Sequence, residues 1–321
     1  MSSATRFRAL AYAKINLGLK IIGCRSDGFH ELRTIFQTIS LADTLEVTVS
    51  AGQGITLQVH GEAPSGEENL AYRAAALFLR ELNIRRKIAI TLTKRIPSGA
   101  GLGGGSSDAA AVLRALAMAS RVPTSSLLPL AARLGADVPA FLIGGTVLGL
   151  GRGDEVYPLA DLARWHCVIA QPNATAIFTP QAFSAWDRAH PVPLTPGANH
   201  ATLMKFCSLL QQVLPAFRTL PSSARNREAG PTASRVHAGI ENDFQPEVFS
   251  HSPDFSRIHQ SLRRAGAVWV SLTGSGAAQF GLFPQADVAA ATAARLGARD
   301  RSWHCRFVSR AACDRGVVRL A

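Results

Sequence analysis

Apolar and polar residues alternate along "LEVTVS" (45–50) and "ITLQVH" (55–60), two runs split by "AGQG". Period-two alternation turns one face of each run toward a core, and the glycines between them predict a hairpin. The period then lengthens: "NLAYRAAALFLRELNI" (69–84) has helical spacing, and "KIAITLTKRIP" (87–97) returns to a strand-like alternation. "SSDAAAVLRALAMAS" (106–120) predicts a strong helix, alanine-rich and with Ser106, Ser107 or Asp108 available to cap its first turn. "SSLLPLAARLGADVPAFLIGG" (125–145) predicts another helix, ending near Gly135 and followed by a short apolar stretch.

The pattern restarts near residue 160. "HCVIAQP" (166–172) predicts a strand, "HATLMKFCSLLQQV" (200–213) a helix, and "PDFSRIHQSLRRAGAVWVSLTGSGAAQFGLF" (253–283) a helix, strand, turn and strand. Between them "LPSSARNREAGPTASRVHAG" (220–239), rich in Ser, Gly, Pro and Arg, predicts an exposed basic loop. Strands and helices mixed in this way predict two α+β domains, 1–160 and 161–321.

With 321 residues, 47% hydrophobic and 17% charged, the chain is long enough for two buried cores and too apolar to be disordered. The net charge of +12 points to an anionic partner, and the phosphates of a small molecule or of nucleic acid both fit. Five cysteines (Cys24, Cys167, Cys207, Cys305 and Cys313) are odd in number, with no C-x-x-C pair. That argues against a zinc knuckle or a disulfide framework and suits a reducing cytoplasm. The N-terminal residues lack the apolar core of a signal peptide, and "VPAFLIGGTVLGLG" is too short and too rich in Gly and Pro to span a bilayer.

The segment "PSGAGLGGGSSDAAA" (97–111) changes the picture, with five glycines in the seven positions 99–105. Gly99, Gly101 and Gly104 satisfy G-x-G-x-x-G between a strand and a helix, the setting of a dinucleotide fold. Such a fold also wants an acidic residue about 20 positions on to hold a ribose. No Asp or Glu occurs from Ala109 to Ala136, so that reading fails. A Walker A loop fails as well, because no Gly-Lys-Ser/Thr follows. Both motifs share glycines that let the backbone approach a ligand and helix N–H groups that face it, with Ser106 and Ser107 adding hydroxyls. Together these predict a polyphosphate site.

Other stretches carry candidate chemistry. Lys14 and Asn16 lie near the start, Phe29 and His30 follow an Asp27-Gly28 turn, and Asp137 sits between Ala136 and Val138. "LTGSGAAQFGLF" holds a second glycine turn, Thr273, Gly274, Ser275 and Gly276. Taken singly, each has a structural explanation. In their order along the chain, K-I-N, P-x-G-x-G-L-G-G-G-S-S, G-A-D-V-P and G-S-G resemble the GHMP kinase superfamily. "AKINLGLKIIGCRSDGFHELRTIFQTI" (13–39), "GRGDEVYPL" (151–159) and "ENDFQPEVF" (241–249) are similar to those members that phosphorylate a diphosphocytidyl substrate on the non-mevalonate route to isoprenoid precursors.

The resemblance, which spans about residues 10–283, implies an N-terminal domain like ribosomal protein S5 domain 2 and a ferredoxin-like C-terminal domain, with both substrates between them. It implies Asp137 as base and Lys14 as its assistant, ATP on Pro97, Ser98, Gly99, Ala100, Gly101, Leu102, Gly103, Gly104, Gly105, Ser106 and Ser107, and Asn69, Leu70 and Lys94 near the adenine. Asn16, Phe29, His30, Thr179 and Phe183 match its pocket for 4-diphosphocytidyl-2-C-methyl-D-erythritol. Mg²⁺ is expected with ATP, Ser107 being a candidate contact. Phe29 stands where the family usually has tyrosine, which keeps stacking and removes a hydroxyl contact. A sister kinase for mevalonate, homoserine or a sugar would share the loop but has no use for a nucleobase pocket. An RNA-binding protein would need basic residues interleaved with aromatics, and aromatics are only 7% with no such stripe. No nucleic-acid or membrane partner is expected.

Overall fold

Two long antiparallel strands, β1 (Thr5–Cys24) and β2 (His30–Ser50), form the spine of the structure, a computed structural model that describes residues 4–173, 177, 179–190, 203, 204, 206, 208, 215, 217 and 241–320. The pairing runs from Thr5↔Val49 to Cys24↔His30 and is broken by irregularities at Tyr12/Ala13, Asn16/Gly18 and Ile21/Gly23. Bulges re-aim side chains and increase local twist, and two of these flank Lys14 and Asn16.

β3 (Gly54–His60), α1 (Leu70–Glu81) and β4 (Lys87–Thr93) complete a β-α-β unit. The hairpin expected over 45–60 does not form. β4 lies between the two runs, antiparallel to β2 (Leu45↔Leu92) and parallel to β3 (Ile55↔Ile88). Burial explains the order: Ile88, Ile90 and Leu92 of β4 are all buried, whereas β3 has no fully buried residue and takes the edge. Because β3 and β4 are parallel, they need a crossover, which α1 supplies.

The glycine segment leads into α2 (Gly104–Ser120), α3 (Leu128–Leu134), α4 (Val138–Ile143), β5 (Thr146–Leu150) and β6 (Glu155–Pro158). α2 begins two residues before the expected cap. Its N-cap is Gly103 in the left-handed conformation, with no side-chain cap, so neither serine nor Asp108 serves that role. The short apolar stretch after Gly135 is helical, as α4.

A second sheet has the order β10-β7-β9-β8, from β7 (His166–Gln171), β8 (Trp269–Leu272), β9 (Gln279–Phe283) and β10 (Arg301–Arg306). Around it lie α5 (Thr179–Ala189), α6 (Gln245–His251), α7 (Pro253–Arg264) and α8 (Ala286–Gly297). After α9 (Arg310–Asp314), β11 (Val317–Leu320) crosses the expected domain boundary and pairs with β1. The basic loop 220–239, Cys207 and most of the helix expected over 200–213 lie outside the described residues.

One core cluster joins the two sheets. Ile15, Leu17 and Ile35 of the first pack with Trp269 and Phe280 of the second, and Leu102 of the glycine segment joins them. The loop is therefore anchored at the seam between the sheets.

Candidate active site

A cleft of about 830 Å³ opens along this seam. Its walls include Lys14, Asn16, Phe29, His30, Leu70, Lys94, Asp137, Thr179, Phe183, Gly274 and Ser275, together with the whole run from Pro97 to Ser106. Asn69, Ser107, Thr273 and Gly276 stand behind this lining. The Asn69 side chain accepts from Ala71 N at 2.9 Å and donates to the Pro64 carbonyl at 2.7 Å, capping α1. Ser107 Oγ donates to the Tyr12 carbonyl at 2.6 Å.

The concentration of glycine has two distinct causes. Gly101 has φ +77°, and a Cβ there would collide with the Thr273 carbonyl oxygen; Gly276 meets it from the other side, so two glycine turns pack backbone to backbone. Gly103 has φ +71°, and its Cβ would lie 2.7 Å from the Phe141 ring. Such positions are open to glycine at little steric cost. The result is a loop pressed against the second sheet, with the N–H groups of Gly104, Gly105 and Ser106 opening α2 and lacking intrahelical partners.

Lys14 and Asp137 meet at the centre of the cleft. Lys14 N–H donates to the Leu102 carbonyl at 3.1 Å, which ties β1 to the loop. Its buried ammonium donates to Asn16 Oδ1 at 2.5 Å, lies 3.5 Å from Asp137 Oδ2 and sits 5.5 Å from the centre of the Phe36 ring. Burial pushes the Lys14 pKa down, and the Asp137 charge opposes that shift. Asp137 occupies the N-cap position of α4, yet its side chain makes no cap hydrogen bond and is about one-third exposed. The carboxylate is thus left for the cleft. Asn16, expected in the substrate pocket, also holds Lys14: its Nδ2 donates to Thr34 Oγ1 at 2.7 Å.

Lys94 lies below the loop between two buried carboxylates, Asp43 and Asp108, with 2.7 Å to Asp108 Oδ2. Burial opposes its charge, but the two carboxylates outweigh that and raise its pKa. Asp108 is pushed up to about 8, mainly by burial.

At the other end, the His30 ring stacks on Phe183 with centroids 4.4 Å apart and planes at 21°. Its Nε2 is 2.7 Å from Asp187 Oδ1. Phe29 is 53% exposed, with the Arg152 guanidinium 4.8 Å above its ring. Sequence reasoning missed Asp187 and Arg152. A signal for Asp187 was present: Thr179, Phe183 and Asp187 recur every four residues, which puts them on one face of α5.

The fold and cleft agree with the family comparisons. Residues 69–145 match the model of the GHMP kinase N-terminal domain, and residues 224–300 that of the GHMP kinase C-terminal domain. At 19% identity and a TM-score of 0.69, a homoserine kinase structure from Cytophaga hutchinsonii covers 100% of this chain and 98% of its own, and shares the fold. These features define a two-domain GHMP kinase. A protein of Solibacter usitatus (strain Ellin6076) called 4-diphosphocytidyl-2-C-methyl-D-erythritol kinase is 39% identical over 97% of this chain and 91% of its own length. A Chlorobium luteolum protein of the same name is 39% identical over 86% and 88%. A crystal structure of 4-(cytidine 5'-diphospho)-2C-methyl-D-erythritol kinase matches at 35% identity and a TM-score of 0.72, covering 94% and 98%. The chain belongs to the 4-diphosphocytidyl-2-C-methyl-D-erythritol kinase family. It is a kinase, and the family implies ATP as phosphoryl donor. No helix among the described residues is long and apolar enough to cross a membrane.

Proposed function

We propose that this enzyme transfers the γ-phosphoryl group of ATP to the 2-hydroxyl of 4-diphosphocytidyl-2-C-methyl-D-erythritol. The observation that carries the reading is the placement of Lys14 and Asp137 at 3.5 Å, between the glycine loop and an aromatic pocket built from Phe29, His30 and Phe183.

Phosphoryl transfer asks for alignment and charge stabilisation more than for covalent chemistry. The triphosphate rests on the free N–H groups at the start of α2, where the helix dipole favours negative charge. Asp137 accepts the proton of the tertiary hydroxyl as the new O–P bond forms and the bond from the γ-phosphorus to the β,γ-bridging oxygen breaks, releasing ADP. Lys14, locked by Asn16, faces both the carboxylate and the transferring phosphoryl group and offsets charge that builds there. The cytosine packs on the Phe29 and Phe183 side, distant from the loop. Leu70 and Lys94 line the adenine end, with Asn69 shaping it by capping α1.

Among the described residues there is no group of three or more His, Cys, Asp or Glu side chains placed for a metal ion. The Ser107 hydroxyl is directed to the Tyr12 carbonyl behind the cleft lining. Mg²⁺ would accompany the triphosphate as MgATP, held mostly by phosphate oxygens and water, and would offset charge on the transferring group. We place the reaction, on a small-molecule acceptor, in the cytoplasm; the described cysteines Cys24, Cys167, Cys305 and Cys313 are free thiols, which suits a reducing compartment.

ATP consumption by the purified enzyme should be stimulated by 4-diphosphocytidyl-2-C-methyl-D-erythritol, and not by mevalonate, homoserine or galactose. Stimulation by one of the latter in its place would overturn the reading.

A further inference from the structure

The run "ENDFQPEVF" has no part in the transfer chemistry, yet its first residues touch both walls of the cleft. Asn242 is 1% exposed, and both polar atoms of its side-chain amide have partners. Nδ2 donates to the carbonyls of Leu272 (3.0 Å) and Gly274 (2.8 Å), while Oδ1 accepts from Phe244 N at 3.0 Å. Two carbonyls converging on one nitrogen require two donors in a plane, which a primary amide supplies. The neighbouring Asp243 faces the opposite way. Its Oδ2 accepts from Ile21 N at 2.8 Å and its Oδ1 pairs with Lys20 at 2.8 Å, while its own N–H donates to the Leu19 carbonyl and the Glu241 carbonyl accepts from Leu19 N.

Adjacent residues therefore grip β1, the strand of Lys14 and Asn16, and the glycine turn 273–276. That turn forms the wall beside the reacting pair. A Cβ on Gly274 would lie 3.4 Å from Lys14 Nζ, and Thr273 Oγ1 accepts from Asn16 N at 3.1 Å. Ser275 Oγ lies 2.9 Å from Thr179 Oγ1, which links the turn to α5 and its Phe183.

We propose that Asn242 and Asp243 form a positioning clasp: by fixing the 273–276 turn against β1, they set where Lys14 stands relative to the bound substrates. This inference rests on the reading of the cleft as the kinase site. Neither side chain touches a reacting group, so the effect acts through the turn and the strand. Displacing a catalytic group by about 1 Å from afar costs on the order of a hundredfold in rate.

The test uses Asn242→Asp, which keeps size but turns lone pairs toward the two carbonyls, and Asp243→Ala, which frees the β1 side from a partly exposed position. For each variant, kcat per folded molecule should fall by about tenfold or more, and by more than KM for ATP rises, since the 273–276 turn also packs against Gly101 of the loop. Amide exchange should rise in 19–21 and 272–276 and stay unchanged in α1 and β4. If Asn242→Asp does not fold, Asp243→Ala alone decides. Unchanged exchange, or a lower melting temperature with kcat per folded molecule within about threefold, would overturn the clasp. Failure of the wild-type enzyme to use the cytidine acceptor would instead count against the proposed function, and the exchange data would then decide the clasp alone.

Discussion

The Lys14 ammonium stands 3.5 Å from Asp137 Oδ2 and 2.5 Å from Asn16 Oδ1, so the amide fixes where the lysine stands while the carboxylate lies beside it and faces the cleft. A carboxylate locked in a tight, fully buried ion pair would be a poor base. Here the cation is buried and the acid is partly open to the cleft. If the two act as one unit, removing either removes most of the same function. Lys14→Ala should cut turnover by about a hundredfold, and adding it to Asp137→Asn should cost far less than the product of the single losses. Steady-state kinetics of the two single mutants and the double mutant measure this, and multiplicative losses would show independent roles.

Asp43, Lys94 and Asp108 place two carboxylates around one ammonium in a buried site. The Asp108 pKa is raised from 3.8 to about 8, first by burial, with Lys94 pulling the other way. Between these values the unfolded chain releases a proton that the folded protein retains. Stability is therefore lost as pH rises from about 4 to about 8, and the loss levels off above that. Asp108→Asn leaves Lys94 paired one-to-one with Asp43 and removes the titration. Melting temperatures across pH 5–8 should fall more steeply for the wild type than for the variant. Parallel curves would place the proton elsewhere.

Phe183 stacks on His30 and packs edge-on against Phe244, 4.8 Å between centroids, so its ring is held in one orientation. A stacked base is worth about 1–3 kcal/mol by alanine substitution. Phe183→Ala should raise KM for the cytidine substrate by about tenfold or more and leave KM for ATP within about threefold. A rise confined to ATP would put this ring in the other pocket.

Much of this was legible in the sequence because the signals were local. The glycine loop, the α2 run and the isolated Asp137 are each readable within a dozen residues. Pairing was less legible. The 45–60 hairpin failed because β4, distant along the chain, has the more apolar face and competes for β2. The cap of α2 was misread because Gly103 takes a left-handed turn against Phe141, a contact that no local pattern encodes. Asn242 and Asp243 were visible as residues, but their role depends on two sheets meeting, with partners 30 to 32 and more than 200 positions away. Asp187 could have been found from the four-residue spacing on α5, whereas Arg152 depends on the approach of a separate turn to Phe29.

The central claim is that Asp137 takes the proton of the acceptor hydroxyl. Its most direct test is the rate of phosphoryl transfer to the cytidine substrate by Asp137→Asn, which preserves shape and removes the acceptor. Turnover should fall by about 10²–10⁴, with ATP binding nearly unchanged, because the triphosphate rests on the loop. Near-normal turnover in a correctly folded Asp137→Asn protein would contradict the account.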